Sequence, residues 1–168
     1  GDARQSTIMN YTDGQLTGSS VYRGLVLPED LGASKNLLSH STYIPQTSTD
    51  ESPRVKETYN YRRSDGSIQS RTDYDYEKKQ DSEDEYSIKS TTTYRGLEAD
   101  GNNGTSTFVA SYSAYTLETN LDGDEEDRVK RTTTYKKAAL PTDGKARPLR
   151  GDARQSTIMN YTDGQLTG

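Results

Sequence analysis

Apolar and polar positions alternate along much of this chain in short strips. The stretch TFVASYSAYTLE (107–118) sets Phe108, Ala110, Tyr112 and Ala114 against Val109, Ser111, Ser113 and Tyr115. The stretch VKETYNYRR (55–63) sets Val55, Tyr59 and Tyr61 against Lys56, Thr58 and Asn60. A period of two belongs to a half-buried strand, and a fill of Thr, Tyr, Val and Ser favours the same state. The pattern predicts outgoing strands over 16–24, 55–63, 88–96 and 129–137, and return strands over 68–77, 107–118 and 156–162. The links between them are rich in turn formers, as in RSDGS (63–67) and EADGNNGTS (98–106). Asp-Gly accepts the positive φ angles that close hairpins. One stretch is less regular: LVLPEDLGASKNLLSHSTYI (25–44), where a short helical turn is expected near Ser34–Leu38.

Aligned, the outgoing strands form an internal repeat: LTGSSVYRG (16–24), VKETYNYRR (55–63), IKSTTTYRG (88–96) and VKRTTTYKK (129–137). An aliphatic residue (Leu16, Val55, Ile88, Val129) lies six positions before a tyrosine (Tyr22, Tyr61, Tyr94, Tyr135). Arg23, Arg62, Arg95 or Lys136 follows. Residues six apart share a face on a regular strand and diverge by roughly 120° on a helix. These eight residues are therefore the expected packing positions. A longer period encloses the short one. Residues 151–168, GDARQSTIMNYTDGQLTG, repeat residues 1–18 letter for letter, which sets an outer period of 150. One outer repeat (1–150) then holds four hairpin subunits, roughly 16–54, 55–87, 88–128 and 129–150, the last continuing into 151–165. Residues 151–168 begin the next repeat, and neither end is expected to be a true terminus.

Composition makes this a thin structure. Apolar residues are 28% of the chain, Leu, Ile, Val and Phe together number 23 of 168, and the aromatics are 13 tyrosines and Phe108. A chain this poor in aliphatics cannot fill an ordinary core. Tyrosine, with an apolar ring and a polar tip, suits two-sided, half-exposed strands. The expected fold is all-β: tandem Tyr/Thr-rich antiparallel β-hairpins in an extended repeat array, without a conventional globular core. A lone hairpin is marginal in water, so each must lean on its neighbours.

Charge and candidate chemistry narrow the function. The net charge of −5 offers no basic footprint for nucleic acid. No apolar run reaches the ~20 residues of a membrane span. There is no cysteine and only one histidine, His40, so neither a thiol site nor a histidine metal cluster is available. No phosphate-binding loop, nucleophile elbow or zinc-protease motif occurs; the chain is read as no enzyme, with no cofactor. Acidic links (STDES at 48–52, QDSEDE at 80–85, DGDEED at 122–127) alternate with basic strands, which would set register between neighbouring hairpins; solvated loops are the plainer alternative. Asp122, Asp124, Glu125 and Asp127 could offer oxygen ligands to calcium, although the EF-hand spacing is missing. Asn10, Asn103 and Asn160 each open an Asn-x-Thr glycosylation acceptor. Such tripeptides also arise by chance in a Thr-rich chain.

Arg150-Gly151-Asp152 resembles the integrin-binding tripeptide of extracellular matrix proteins, which implies cell adhesion; a chance Arg before Gly-Asp is the alternative. The TTTYRG and TTTYKK segments are similar to the short Thr/Tyr modules of luminal microtubule proteins, which implies docking on a lattice. Two readings of function follow. In the first the chain is a structural tandem-repeat protein that forms or decorates an extracellular or cell-surface fibre, as a fibre subunit or adhesin stalk. Its partners are then copies of itself and glycans. In the second it is an intracellular, cytoskeletal or axonemal filament-associated protein, docking one subunit per lattice step. A lesser third reading is a disordered linker that orders only in its assembly.

Overall fold

The computed structural model describes residues 4–26, 36–48, 51–79, 82, 84–95, 108–119, 125–139, 153–162 and 165–167. These form eleven strands: β1 (Gln5–Thr12), β2 (Gln15–Arg23), β3 (Leu37–Ile44), β4 (Arg54–Tyr61), β5 (Ile68–Lys78), β6 (Tyr86–Arg95), β7 (Phe108–Thr119), β8 (Glu125–Ala139), β9 (Ala153–Ile158), β10 (Tyr161–Thr162) and β11 (Gln165–Leu166). The fold is an all-β array of consecutive antiparallel hairpins, as the alternation demands. No described residue lies in an α-helix, and among the described residues no helix is long and apolar enough to cross a membrane. Within the stretch Ser34–Leu38, where a short helical turn is expected, Asn36 lies in a 3-10 turn and Leu37 and Leu38 already begin β3, while residues 34–35 lie outside the described residues. Across β2, Tyr22 faces Leu37, and this cross-strand partner draws the leucines into the sheet.

Strands β1 to β9 follow one another in sequence order in one sheet, and β10 and β11 form a separate two-stranded ribbon. The chain divides into two compact units, Gly1–Thr72 with Gly96–Ser106, and Asp73–Arg95 with Thr107–Gly168. In the first unit β1 and β2 are closed by a two-residue turn in which Asp13 has φ 50° and Gly14 φ 79°. Both central residues at positive φ is the primed turn whose twist matches that of the strands. Asp tolerates this region and Gly enters it freely.

The pairing is interrupted at regular places. Between β2 and β3 the register runs Val21↔Ser39 and then Tyr22↔Leu37, leaving Leu38 over. Between β6 and β7 it runs Thr93↔Ser111 and then Tyr94↔Val109, leaving Ala110. Between β8 and β9 it runs Thr134↔Gln155 and then Tyr135↔Ala153, leaving Arg154. A second set lies toward the opposite strand ends. Asn10↔Gly18 is followed by Tyr11↔Leu16, which leaves Thr17. Thr42↔Glu57 gives way to Tyr43↔Val55, leaving Lys56. Ala114↔Arg131 gives way to Tyr115↔Val129, leaving Lys130. An extra residue on one strand is a β-bulge, and it breaks the alternation of faces.

Those bulges correct the faces read from the sequence. Residues directly opposite on paired strands point to the same side. Val55 stands opposite Tyr43 and Thr58 opposite Ser41, so Val55 shares its side with Thr58 and Asn60; Glu57, Tyr59 and Tyr61 occupy the other. Leu16 likewise lies with Tyr11, away from Tyr22, and Val129 with Tyr115, away from Tyr135. On β7, Val109 joins Tyr112 and Ala114 rather than Ser111. Leu16, Val55 and Val129 each share a strand with their tyrosine but not a face.

Candidate assembly interface

One face of each unit carries the tyrosines of the internal repeat. In the first unit Tyr22 is 6% exposed and stands opposite Leu37 on β3 and Ser6 on β1. Tyr61 is half-buried. Burial raises its hydroxyl pKa, and the neighbouring Tyr22 adds to the rise. In the second unit Tyr94, Tyr135 and Val109 are buried together, with Tyr112 packed against them. Val109, at 1% exposed, is the most completely enclosed side chain described. Two positions before the tyrosine stands a buried hydroxyl: Ser20, Thr92 and Thr133. A hydroxyl buried there needs a partner. Ser20 Oγ meets His40 Nδ1 at 2.9 Å, and Thr133 Oγ1 meets Ser156 Oγ at 2.9 Å. A short hydroxyl leaves room beside the ring, and for Ser20 and Thr133 the partner lies on the adjacent strand.

The other face carries Leu16, Val55 and Val129. Leu16 faces Tyr11, Val55 faces Tyr43 and Val129 faces Tyr115. Ile88, in β6, is half-buried, and its backbone N–H donates to Asp127 Oδ2 at 2.9 Å. Beside two of these pairs a hydroxyl pair closes the same step: Ser41 with Thr58 at 2.8 Å and Ser113 with Thr132 at 2.9 Å. Sequence reasoning missed Tyr43 and Tyr115 as repeat positions. The signal was present, because Leu37 and Tyr43, Ile68 and Tyr74, and Val109 and Tyr115 keep the same six-residue offset on the return strands.

The remaining candidate residues are dispersed. Glu125 receives Lys79 Nζ at 3.0 Å, and Lys79 also reaches Glu85 at 3.2 Å. The hydrogen bond to Glu125, then that to Glu85, raises the pKa of Lys79. Asp127 is engaged by Ile88 as described, and Asp122 and Asp124 lie outside the described residues. Among the described residues no three His, Cys, Asp or Glu side chains gather as metal ligands. Asn10 and Asn160 are exposed near the strand ends, and each backbone carbonyl accepts from a threonine hydroxyl seven residues on: Thr17 at 3.2 Å and Thr167 at 3.1 Å. Asn103, Arg150, Gly151 and Asp152 lie outside the described residues. Glu51 is buried at a turn, its carboxylate accepting from the Thr47 N–H at 2.8 Å and hydroxyl at 2.9 Å and from Arg54. These bonds hold its pKa below the ordinary value.

The duplicated stretch occurs in two settings. Its first copy supplies β1, paired to β2 with Ser6 opposite Tyr22. Its second supplies β9, paired to β8 with Ser156 opposite Thr133. The same four letters, QSTI, thus pair through one edge in one copy and through the other edge in the next.

No family model matches the chain, and no curated protein matches it. A solved structure of a protein of unknown function from Bacteroides fragilis is similar at 12% identity, over 82% of this chain and 92% of that one, with a TM-score of 0.26.

Proposed function

We propose that the chain is a structural tandem-repeat protein which forms or decorates an extracellular or cell-surface fibre, acting through repetitive strand packing and multivalency. The observation that carries this reading is the position of the second copy. β9, which opens the next outer repeat in sequence, pairs with the last outgoing strand of the repeat before it. Strand pairing can therefore continue across a repeat boundary, and length can be added without a new kind of contact. Most buried positions among the described residues are Tyr, Ser and Thr, with Val109 and Glu51 beside them, a composition that supports packing. Asn10 and Asn160 are both exposed, which supports them as acceptor sites in a secreted array.

Peptide mass mapping of the native protein tests where it resides. Sugar on any of Asn10, Asn103 and Asn160, or on Ser and Thr, is the expected result. Unmodified peptides from protein that co-purifies with tubulin or actin would overturn the extracellular reading.

A further inference from the structure

Segment β1 differs from most edge strands. Gln5–Thr12 reads QSTIMNYT, with no charge and no proline. Edge strands usually carry a lysine, a proline or a bulge to prevent another strand from adding. Here Met9 is 56% exposed and Tyr11 61%. β1 stands at the end of the strand order, so its outer edge has no strand partner among the described residues.

The second copy identifies what that edge fits. Along an extended strand the backbone groups of alternate residues point to opposite edges. Arg4 O accepts from Gly24 N at 3.0 Å, so Arg4, Ser6 and Ile8 turn their backbone groups toward β2. Gln5, Thr7 and Met9 turn theirs outward. In the second copy Met159 N, the counterpart of Met9 N, donates to Lys130 O at 2.9 Å. The groups that β1 presents outward are thus the ones its identical twin uses to bind β8. The two edges do not compete for the same donors. Ser156 Oγ meets Thr133 Oγ1; Ser6 stands at the same register position, where its hydroxyl donates to Gly24 O at 2.6 Å and accepts from Val26 N at 3.2 Å.

We propose that β1 of one chain adds to β8 of a second copy in place of that copy's own β9, so that the protein self-associates head to tail by strand exchange. The pairing would be Gln5 with Thr134, Ser6 with Thr133, Thr7 with Thr132 and Ile8 with Arg131, each transferred from the β8–β9 register. The exchanged pairing makes the same backbone bonds as the one it replaces. Its equilibrium is set by the tether that holds β9 near β8, and hence by protein concentration. The inference deepens the array reading by naming the edge and its partner strand. It rests on that reading only for its biological use, since strand exchange and glycan mapping can fail separately.

The test uses the full chain. Thr157→Pro with Met159→Pro removes two of the three N–H groups that the second copy turns toward β8, leaving that of Gln155, and loosens its hold on the β8 edge. This variant is expected to self-associate, its weight-average mass by light scattering rising with concentration to about twofold or more that of the wild type. Adding Thr7→Pro and Met9→Pro, which alters only outward-facing N–H groups of β1, should return the mass to that of one chain. A monomer at every concentration before those additions, or association unchanged after them, overturns the proposal. A second measurement does not depend on proline tolerance. Ser6→Cys in one preparation and Thr133→Cys in another are mixed in the otherwise wild-type, cysteine-free chain. Ser156 and Thr133 form a non-hydrogen-bonded pair, whose close spacing a disulfide can span. A disulfide-linked heterodimer that outpaces the Ser6→Cys homodimer is the expected product. A homodimer alone would mean that β1 pairs with β1 and would overturn the assignment to β8, and so would no cross-linked species at all.

Discussion

Tyr22 on β2 and Leu37 on β3 stand directly opposite each other, one residue of slack after the preceding pair, because Leu38 is left over in a bulge. The same arrangement sets Tyr94 opposite Val109 with Ala110 left over. A bulge increases local twist and redirects side chains. Here it places an aliphatic residue of β3 and of β7 opposite the outgoing tyrosine. The internal repeat is thus a repeat of pairing geometry as well as of letters.

That geometry separates two kinds of tyrosine. Tyr22→Ala removes a buried ring and is expected to cost about 3 kcal/mol, in the range of large-to-small changes in cores. Tyr11→Ala removes a ring that is mostly in water and is expected to cost less than about 1 kcal/mol. Urea unfolding followed by circular dichroism compares the two; equal midpoints would mean that the buried face does not hold the first unit together.

In the second unit the bulge itself can be tested. Val109→Ala is expected to cost about 2 kcal/mol, because Val109 is enclosed by Tyr94 and Tyr135. Deleting Ala110, the residue left over, should cost at least as much although Ala110 is only half-buried. Without the extra residue, Val109 shifts onto the opposite face, since a one-residue slip exchanges the faces of a strand. A deletion milder than Val109→Ala would show that the bulge does not set the face.

Strand positions were legible in the sequence because their cause is local. The Thr/Tyr/Val fill of VKRTTTY and the Asp13-Gly14 turn act within a few residues. The faces were not legible from period two, because Thr17, Lys56 and Lys130 each add a residue between the aliphatic and its tyrosine. A bulge is decided by how two strands meet, and nothing within either strand marks it. The six-residue offset on the return strands could have been found, since Leu37–Tyr43 and Val109–Tyr115 repeat it in plain letters. Of the candidate site residues, Asp127 and Glu125 were legible as acids but not as partners of Ile88 and Lys79, which lie far away along the chain.

Two glycines of the first hairpin should respond oppositely to alanine. Gly14 has φ 79° and open space where a Cβ would stand, so Gly14→Ala incurs only the backbone strain and is expected to cost about 1 kcal/mol. At Gly18 a Cβ would lie 3.5 Å from Asn10 Nδ2, His40 Cε1 and the Ser41 carbonyl, ordinary contact distances. Gly18→Ala is therefore expected to be neutral or to stabilise by up to about 1 kcal/mol through the unfolded chain. Thermal melts of the two variants, displaced in the same direction by similar amounts, would refute the contrast.

Stability should fall at both ends of the pH scale for different reasons. At the acid end, Glu51 is held below its ordinary value of 4.5, first by the Thr47 N–H and hydroxyl, against the opposing effect of burial, and then by Arg54. Asp65 is held below 3.8 by the Ser67 N–H and hydroxyl. A carboxylate with a depressed pKa stabilises fully above its ordinary value and loses that contribution as pH falls through the lowered one. The acid loss should therefore begin below about pH 4.5, and Glu51→Gln should flatten it. At the alkaline end, burial raises Tyr59, Tyr61 and Tyr135 above 10.0, with Glu57 adding to the rise at Tyr59. A raised tyrosine pKa means that the fold prefers the protonated ring: the contribution is complete below pH 10 and is lost as pH climbs through the raised values. Tyrosinate absorbance recorded together with circular dichroism should show an early group of rings ionising with the sheet intact. A later group should ionise as the sheet is lost, and Tyr61→Phe should shrink that group by one ring. If all 13 tyrosines ionise in one step with the sheet unchanged, the buried tyrosine faces do not hold these hairpins together.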